Sequence, residues 1–294
     1  MSATLWLLIA LPPAAAAIGC PDVQGGIAAA STQADPDLAR ELYSAAEASG
    51  TCSGEALLMM GRNVAYAHYH AAYREGVSDN DRETLLKSAL DYGRPWQVLA
   101  AAADAHREGR RYAQATALYQ EALDDIRDEH LNPIAPPVAV IASIHKKAEE
   151  TRLLAPHYVS RVDRSGRPGG LSNIRIRGFS VTRTAVPVHF EFDSTAFTPE
   201  GREAVKDLLG YLAVAGDPDI ELVGHTDERG SDSYNQLLSV RRAEAVRSFM
   251  LAAGYGGQVT VSGRGESEPF EADDPDAYSQ EERWKLDRRV ELRR

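Results

Sequence analysis

The sequence predicts a two-part protein: a repeat-like stack of α-helices, then a compact α/β sandwich of order β-α-β-α-β-β. Three observations predict it. Residues 35–155 are rich in alanine and other helix formers and nearly free of strand signals. Residues 186–292 alternate between two-residue and helical periodicity. Between them lies RVDRSGRPGGLSN (161–173), a Gly-, Ser-, Pro- and Arg-rich stretch of linker composition.

A chain of 294 residues has room for two domains. Its hydrophobic content of 44% and charged content of 26% are those of a soluble globular protein. The net charge of −11 argues against nucleic acid as a partner, which would require a basic face to displace counterions. The charge is uneven: net −7 over residues 21–160, +5 over 161–185 and −9 over 186–294. The boundaries read as an export segment at 1–20, a helical region at 35–155, a basic linker with an edge strand at 156–180, and a second domain at 181–294.

The first twenty residues, MSATLWLLIALPPAAAAIGC, are not domain material. Leu5 to Leu11 is an apolar core, Pro12 and Pro13 break any helix, and small residues lead to Cys20. That is the layout of an export signal, and it is too short to span a bilayer permanently. No Lys or Arg precedes the apolar run, so the amino terminus supplies the only positive charge there. Ala17-Ile18-Gly19-Cys20 resembles the lipobox of bacterial lipoproteins, which implies lipidation of Cys20 and an anchor in the outer membrane. The alternative is cleavage after Ala15-Ala16-Ala17, which leaves Cys20 able to join Cys52 in an oxidising compartment.

In the helical region, Asp35 and Pro36 form a cap-and-first-turn pair. The clearest unit is 96–126, split at Gly109 into two helices. In the second, Tyr112, Ala115, Tyr119, Ala122 and Leu123 fall at helical spacing. This set resembles a tetratricopeptide repeat, in which small residues admit the aromatic of the neighbouring helix. Tyr119 and Leu123 are expected in the core and Arg110 on the surface. A lone repeat cannot bury its apolar face, and residues 36–50 and 57–73 are candidates for degenerate partners. An irregular helical bundle is the other reading. Either way the expected role is to bind a protein partner that the sequence does not name.

Catalytic signals are weak here. His68 and His70 are two apart, about 200° around a helix, and cannot share a metal. Ser143 and Lys146 match S-x-x-K, but the K-T-G motif that accompanies it in serine enzymes is absent from the sequence. No cofactor or metal is expected. In the linker, the basic residues read as solubilising; contact with anionic wall polymer or lipid head groups is the alternative. Ile174 to Val181 alternates with period two, with Gly178 shifting the phase, and reads as an edge strand.

In the C-terminal domain, Val186 to Phe192 alternates strictly and reads as a half-buried strand. Thr198-Pro199-Glu200 opens a helix whose buried stripe is Val205, Leu208, Leu209 and Leu212. Asp219–Val223 is a second strand. Ser233 and Gln236 read as a capping box opening a second helix, which ends at Gly254. Val259–Ser262 and Arg288–Leu292 complete the strands. On the second helix Asn235, Leu238 and Arg242 share one stripe, since seven residues advance about 700°. Asp227 lies in the loop before that helix. An acid and an arginine can therefore meet in one cleft with Leu238 as its apolar wall. Such a cleft suits a ligand bearing both an ammonium and a carboxylate.

The segments FEFDS, GHTDERGSDSYNQLLSVRRAEAV, GRGESEP and LDRRVEL occur in order from residue 190 to residue 292. Together they resemble the OmpA C-terminal-like domain, also found in peptidoglycan-associated lipoproteins, over roughly 186–294. The resemblance implies non-catalytic binding of the peptidoglycan stem peptide. It implies that Asp227 and Arg242 hold the zwitterionic end of diaminopimelate, with Phe192, Asp193, Thr226, Asn235 and Leu238 around them. Asp287 stands where the family usually has Asn before R-R-V. The function expected is a periplasmic tether between the cell wall and the outer membrane or an envelope complex, with no enzymatic activity. Its rivals are a signalling or assembly adaptor anchored by the wall domain, and a peptidoglycan hydrolase. Glu203, Glu221 and Asp227 offer the hydrolase no paired-carboxylate logic.

Overall fold

A computed structural model describes residues 20–157, 159, 175–191 and 194–294. The stretch read as an export signal, up to Gly19, and the one read as a linker, 161–173, lie outside the described residues. The helical first half and the mixed sheet with helices in the second half match the fold class expected from the sequence. Contacts divide the chain into two compact units, 1–93 and 94–294, so the division falls inside the helical region.

The first unit contains α1 (Cys20–Thr32), α2 (Pro36–Ser49), α3 (Gly54–Ala72) and α4 (Asp79–Ala89). Side-chain caps start three of them. Asp35 accepts from Leu38 N–H, Ser53 from Ala56 N–H and Ser78 from Asp81 N–H, each satisfying an amide that the helix leaves open. Val23, Ile27, Met60 and Val64 pack with buried alanines between α1, α2 and α3. Cys20 and Cys52 are joined by a disulfide. A sulfur so bonded cannot carry a lipid, so acylation of Cys20 requires a chain in which this bond is absent. His68 is buried and stacks on Tyr92 at 5.9 Å.

The second unit begins with α5 (Trp96–Glu108), α6 (Tyr112–Arg127) and α7 (Val138–Leu154). Tyr112, Ala115, Tyr119, Ala122 and Leu123 of α6 are all buried. Arg110 is exposed, as expected, and its guanidinium also pairs with Glu282 at 2.9 Å and donates to the Tyr112 hydroxyl. Ser143 donates to Asp273, and Lys146 lies 4.0 Å over the Phe270 ring, so the S-x-x-K pair is engaged in packing.

Instead of one edge strand at 174–181, there is a small hairpin of β1 (Arg175–Ile176) and β2 (Phe179–Ser180). Arg177 and Gly178, with φ of 48° and 95°, make the tight turn that glycine favours. The main sheet contains β3 (Arg183–Val186), β4 (Ile220–Gly224), β5 (Val259–Gly263) and β6 (Val290–Arg293) in the order β3-β6-β4-β5. Only β4 and β5 are parallel, joined by a helical crossover. The first strand comes earlier than 186–192 because Pro187 has no N–H for the ladder. Between the strands run α8 (Pro199–Val214), α9 (Asp232–Ala252) and a helix the sequence reading missed, α10 (Gln280–Asp287). Ser231, not Ser233, caps α9.

One face of the sheet packs on α8 and α9 through Val186, Leu222, Val290 and Leu292 against Val205, Leu208, Val246 and Met250. In β3 the alternation turns Ala185 to the opposite face, where it packs with Leu153, Leu154, Tyr278 and Leu286. At the outer edge of β3, Glu149 accepts from the Ala185 N–H at 3.0 Å and Arg152 donates to its carbonyl at 3.3 Å. Two side chains of α7 thus satisfy backbone groups that an edge strand would leave open. Glu150 of α7 accepts from the Tyr278 hydroxyl and the Asp273 N–H.

Candidate functional site

The site is built where α9 meets the ends of β4 and β5. Gly224 and Gly263 close these strands, and a Cβ at either would overlap Ser239 of α9. The two glycines let the helix lie directly on the strand ends. Ser239 uses that proximity: its hydroxyl donates to the Gln236 carbonyl and accepts from the Gly265 N–H. The result sets the first half of α9 beside the loop 225–230 that leaves β4.

A cleft of about 540 Å³ opens there. It brings together Thr226, Asp227, Asn235, Leu238 and Arg242, five of the residues selected from the sequence. Phe192 and Asp193 lie outside the described residues. Cys20 belongs to the first unit. The cleft also contains Phe190, Glu191, Arg229, Tyr234 and Arg288, which sequence reasoning did not select. Two of these carried a signal: Arg229 stands two residues after the acid in T-D-E-R, and Arg288 is the first arginine of R-R-V.

Asp227 is the most heavily engaged group. Its Oδ2 accepts from Arg288 at 2.6 Å and Arg229 at 2.7 Å, and its Oδ1 from the Arg229 N–H at 3.1 Å and Nε at 3.2 Å. Burial works to raise its pKa, but the hydrogen bonds from Arg229 and Arg288 outweigh that and hold the carboxyl below its usual range. Asp227 is therefore a fixed negative charge at neutral pH. Arg229 is itself steadied by the Trp284 ring, 4.5 Å from its guanidinium.

Arg242 is 7% exposed. Its guanidinium lies 5.1 Å over the Phe190 ring, and its Nε donates to the Ser194 carbonyl at 3.3 Å. Phe190 is held in turn by Phe197 at 5.3 Å, and Phe197 by Phe249 at 5.8 Å. This aromatic chain fixes the plane of the fork, which favours bidentate contact with a carboxylate. Asn235 proves to be a scaffold residue: its amide donates to the Asp227 and Arg229 carbonyls, both at 3.2 Å, and to Glu266. The buried Thr226 hydroxyl has no hydrogen-bond partner among the described residues, so it is a polar group the cleft can offer to a ligand. Asp287 does not line the cleft; it accepts from the Phe270 N–H at 2.7 Å.

Beneath the site Glu291 forms a buried ionic hub. It accepts from Arg289 at 2.7 and 2.9 Å and from Arg293 at 2.9 and 3.2 Å. Buried His225 stands 3.6 Å from Glu291, beyond hydrogen-bond reach. Among the described residues no cluster of His, Cys, Asp or Glu could hold a metal, and no helix is long and apolar enough to cross a membrane.

Residues 189–283 match the OmpA family. The chain is 38% identical over 90 residues to outer membrane porin F of Pseudomonas fluorescens, covering 30% of this chain and 28% of that protein. It is 34% identical over 113 residues to the peptidoglycan-associated lipoprotein of Pseudomonas putida, covering 38% of this chain and 64% of the relative. The solved structure of the peptidoglycan-associated lipoprotein from Burkholderia pseudomallei is 30% identical, covering 36% of this chain and 86% of that one, with a TM-score of 0.30. The chain spans between 12% and 35% of the length of the first three curated relatives it matches.

Proposed function

Because the chain carries an OmpA-like domain at its C-terminus, we propose that it binds the peptidoglycan stem peptide without cleaving it, through the zwitterionic end of diaminopimelate. Its role is to tether the outer membrane or an envelope complex to the wall from the periplasmic side. The observation that carries this reading is the convergence of a fixed anion, Asp227, and an aromatic-backed arginine, Arg242, in one cleft. The helical region is read as a module for a protein partner. The adaptor reading, with the wall domain as its anchor, uses the same cleft and differs only in what the helices do. Lipid anchoring at Cys20 applies only to a chain without the Cys20–Cys52 bond.

The geometry adds a step to binding. Asp227 already accepts four hydrogen bonds, about as many as a carboxylate takes. An incoming ammonium must displace one of these donors. Arg229 is the better candidate, since its side chain is 51% exposed and that of Arg288 only 31%. The ligand carboxylate is taken by the fork of Arg242, with Leu238 and Phe190 as the apolar wall.

The test is titration of the full chain with a diaminopimelate-containing stem peptide. A hydrogen bond to a charged group contributes about 1.5–3 kcal/mol, so Arg242→Ala should weaken binding roughly ten- to a hundredfold. Arg242→Lys should restore part of it, keeping the charge but losing the planar fork. Arg241 is exposed and about 100° away around the helix, and Arg241→Ala should bind normally. Asp227→Asn should lose affinity while circular dichroism shows a folded chain. Equal binding by Arg242→Ala and Arg241→Ala would sink the assignment.

A further inference from the structure

Beside the Asp227 cleft lies a second cavity of about 290 Å³. The two share Phe190, Arg242 and Arg288, so they are contiguous. The end of α7 supplies part of the remaining wall through Leu154 and Pro156, and His189 and Lys285 complete its polar side. Leu154, Pro156 and Lys285 fall outside the 189–283 stretch that matches the OmpA family. Part of this wall is therefore built by stretches of the chain that the match does not cover.

The charge of the two cavities differs. The first contains the carboxylates Asp227 and Glu191 among its basic groups. The second is lined by Arg242, Arg288, Lys285 and His189, and no carboxylate lines it. Among the described residues Lys285 makes only a long pair, 3.9 Å, with Glu281 of its own helix, and its side chain is 48% exposed, so its ammonium has hydrogens to offer. Arg288 commits one nitrogen to Asp227, and a guanidinium carries five N–H donors. Burial, helped by the charges of Arg288 and Lys285 and opposed by Glu200, holds the His189 imidazole below its usual range. A neutral imidazole still offers one N–H. A group that suits the first cleft is a zwitterion; a group that suits the second is an anion on an apolar stem.

We propose that the second cavity is a carboxylate subsite for the same ligand: with diaminopimelate in the Asp227 cleft, the carboxylate of the neighbouring glutamyl residue sits between Lys285 and Arg288, and its aliphatic stem lies against Leu154 and Pro156. This rests on the wall-binding reading above and extends it from one amino acid to a stretch of peptide. It also gives the helical segment α7 a part in ligand selection.

The experiment is an NMR titration of the full chain with three probes. They are free diaminopimelate, the tripeptide L-alanyl-γ-D-glutamyl-diaminopimelate, and the same tripeptide with its glutamyl carboxylate amidated. The unaltered chain should prefer the acid tripeptide over the amidated one by about tenfold, the scale of one charge-assisted hydrogen bond. Lys285→Ala should erase that preference to within about twofold and leave the affinity for free diaminopimelate unchanged. Lys285→Arg should keep the preference. Equal binding of both tripeptides by the unaltered chain overturns the subsite. So does a Lys285→Ala chain that loses free diaminopimelate as strongly as the tripeptide. If free diaminopimelate binding is untouched by Arg242→Ala, the wall-binding reading itself fails, and the subsite falls with it.

Discussion

The helices α1–α4 and α5–α7 look alike in sequence but do different work. The first three pack around Val23, Ile27, Met60 and Val64, with a disulfide between Cys20 and Cys52, and α4 lies against α3. The last of the other three turns charged side chains inward. Glu149, Glu150 and Arg152 of α7 are buried, and each bonds to a residue at or beyond 185. Helical periodicity identifies an apolar face; it does not say whether the partner is another helix or the edge of a sheet. The residues that reveal the partner are polar ones at positions where a bundle would place alanine.

The sharpest way to break this comparison is to cut the chain in two places. A cut between Gly93 and Arg94 should leave two cooperative fragments. A cut before residue 181 strips α7 from β3. It exposes Ala185, Tyr278 and Leu286, and it leaves the Ala185 N–H and C=O without their side-chain partners. Each of these hydrogen bonds, exchanged for one to water, contributes about 0.5–1.5 kcal/mol, besides the lost apolar burial. Residues 181–294 should therefore melt roughly 10 °C or more below residues 94–294, or aggregate through the bared edge. Thermal melts with size-exclusion chromatography decide it. Equal melting temperatures would show that α7 is only an ornament on the domain.

How much was legible follows from the same physics. Elements with a clear apolar stripe or run were readable, α6, α8, β4 and β5, and α9 was readable from its end signals, the serines before it and Gly254 after it. Helix α10 was not, because QEERWKLD buries only Leu286 and has no apolar face. Helix α1 was missed because CPDVQGGIAAAST carries two glycines and directly follows an export-like segment. Pro187 shortened the first strand. In the site, Asp227 and Arg242 could be paired by spacing because one lies on a helix stripe and the other in the loop that leads to it. Arg229 and Arg288 could not, since their approach to Asp227 depends on loop shape. Asn235 was readable as a site residue, yet its amide faces the loop backbone, a distinction that residue type cannot make.

A smaller effect separates the units by redox state. The Cys20–Cys52 bond closes a loop with a sequence separation of 32. Such a crosslink stabilises by about 2–4 kcal/mol, chiefly by restricting the unfolded chain. Cys20→Ser with Cys52→Ser should lower hydrogen-exchange protection in α1 and α2 by that amount. It should leave β4 and α9 unchanged, because their core includes no cysteine. A uniform loss across both units would show that they unfold together.

The smallest expected effect is a difference in acid sensitivity. His68 of the first unit has its pKa lowered, with burial the largest cause. In the unfolded chain a histidine titrates near pH 6.5. Between that value and its lower folded one, the unfolded state holds more protons than the folded state. Stability there falls as pH falls. His189 and His225 in the second unit act in the same sense. Glu149 and Glu150 run against them: burial raises both, so the folded state takes up protons first and gains stability as pH falls towards the usual carboxylate range. In the first unit His68 should thus make α3 lose protection as the pH falls from 7.5 towards 5.5. His68 offers a clean control, because neither ring nitrogen has a hydrogen-bond partner among the described residues and the ring stacks on Tyr92. His68→Phe keeps the stack and removes the titration. Hydrogen exchange across α3 at several pH values should lose its slope in that variant while remaining as protected as the unaltered chain at pH 7.5. An undiminished slope in His68→Phe would place the acid sensitivity elsewhere in the unit.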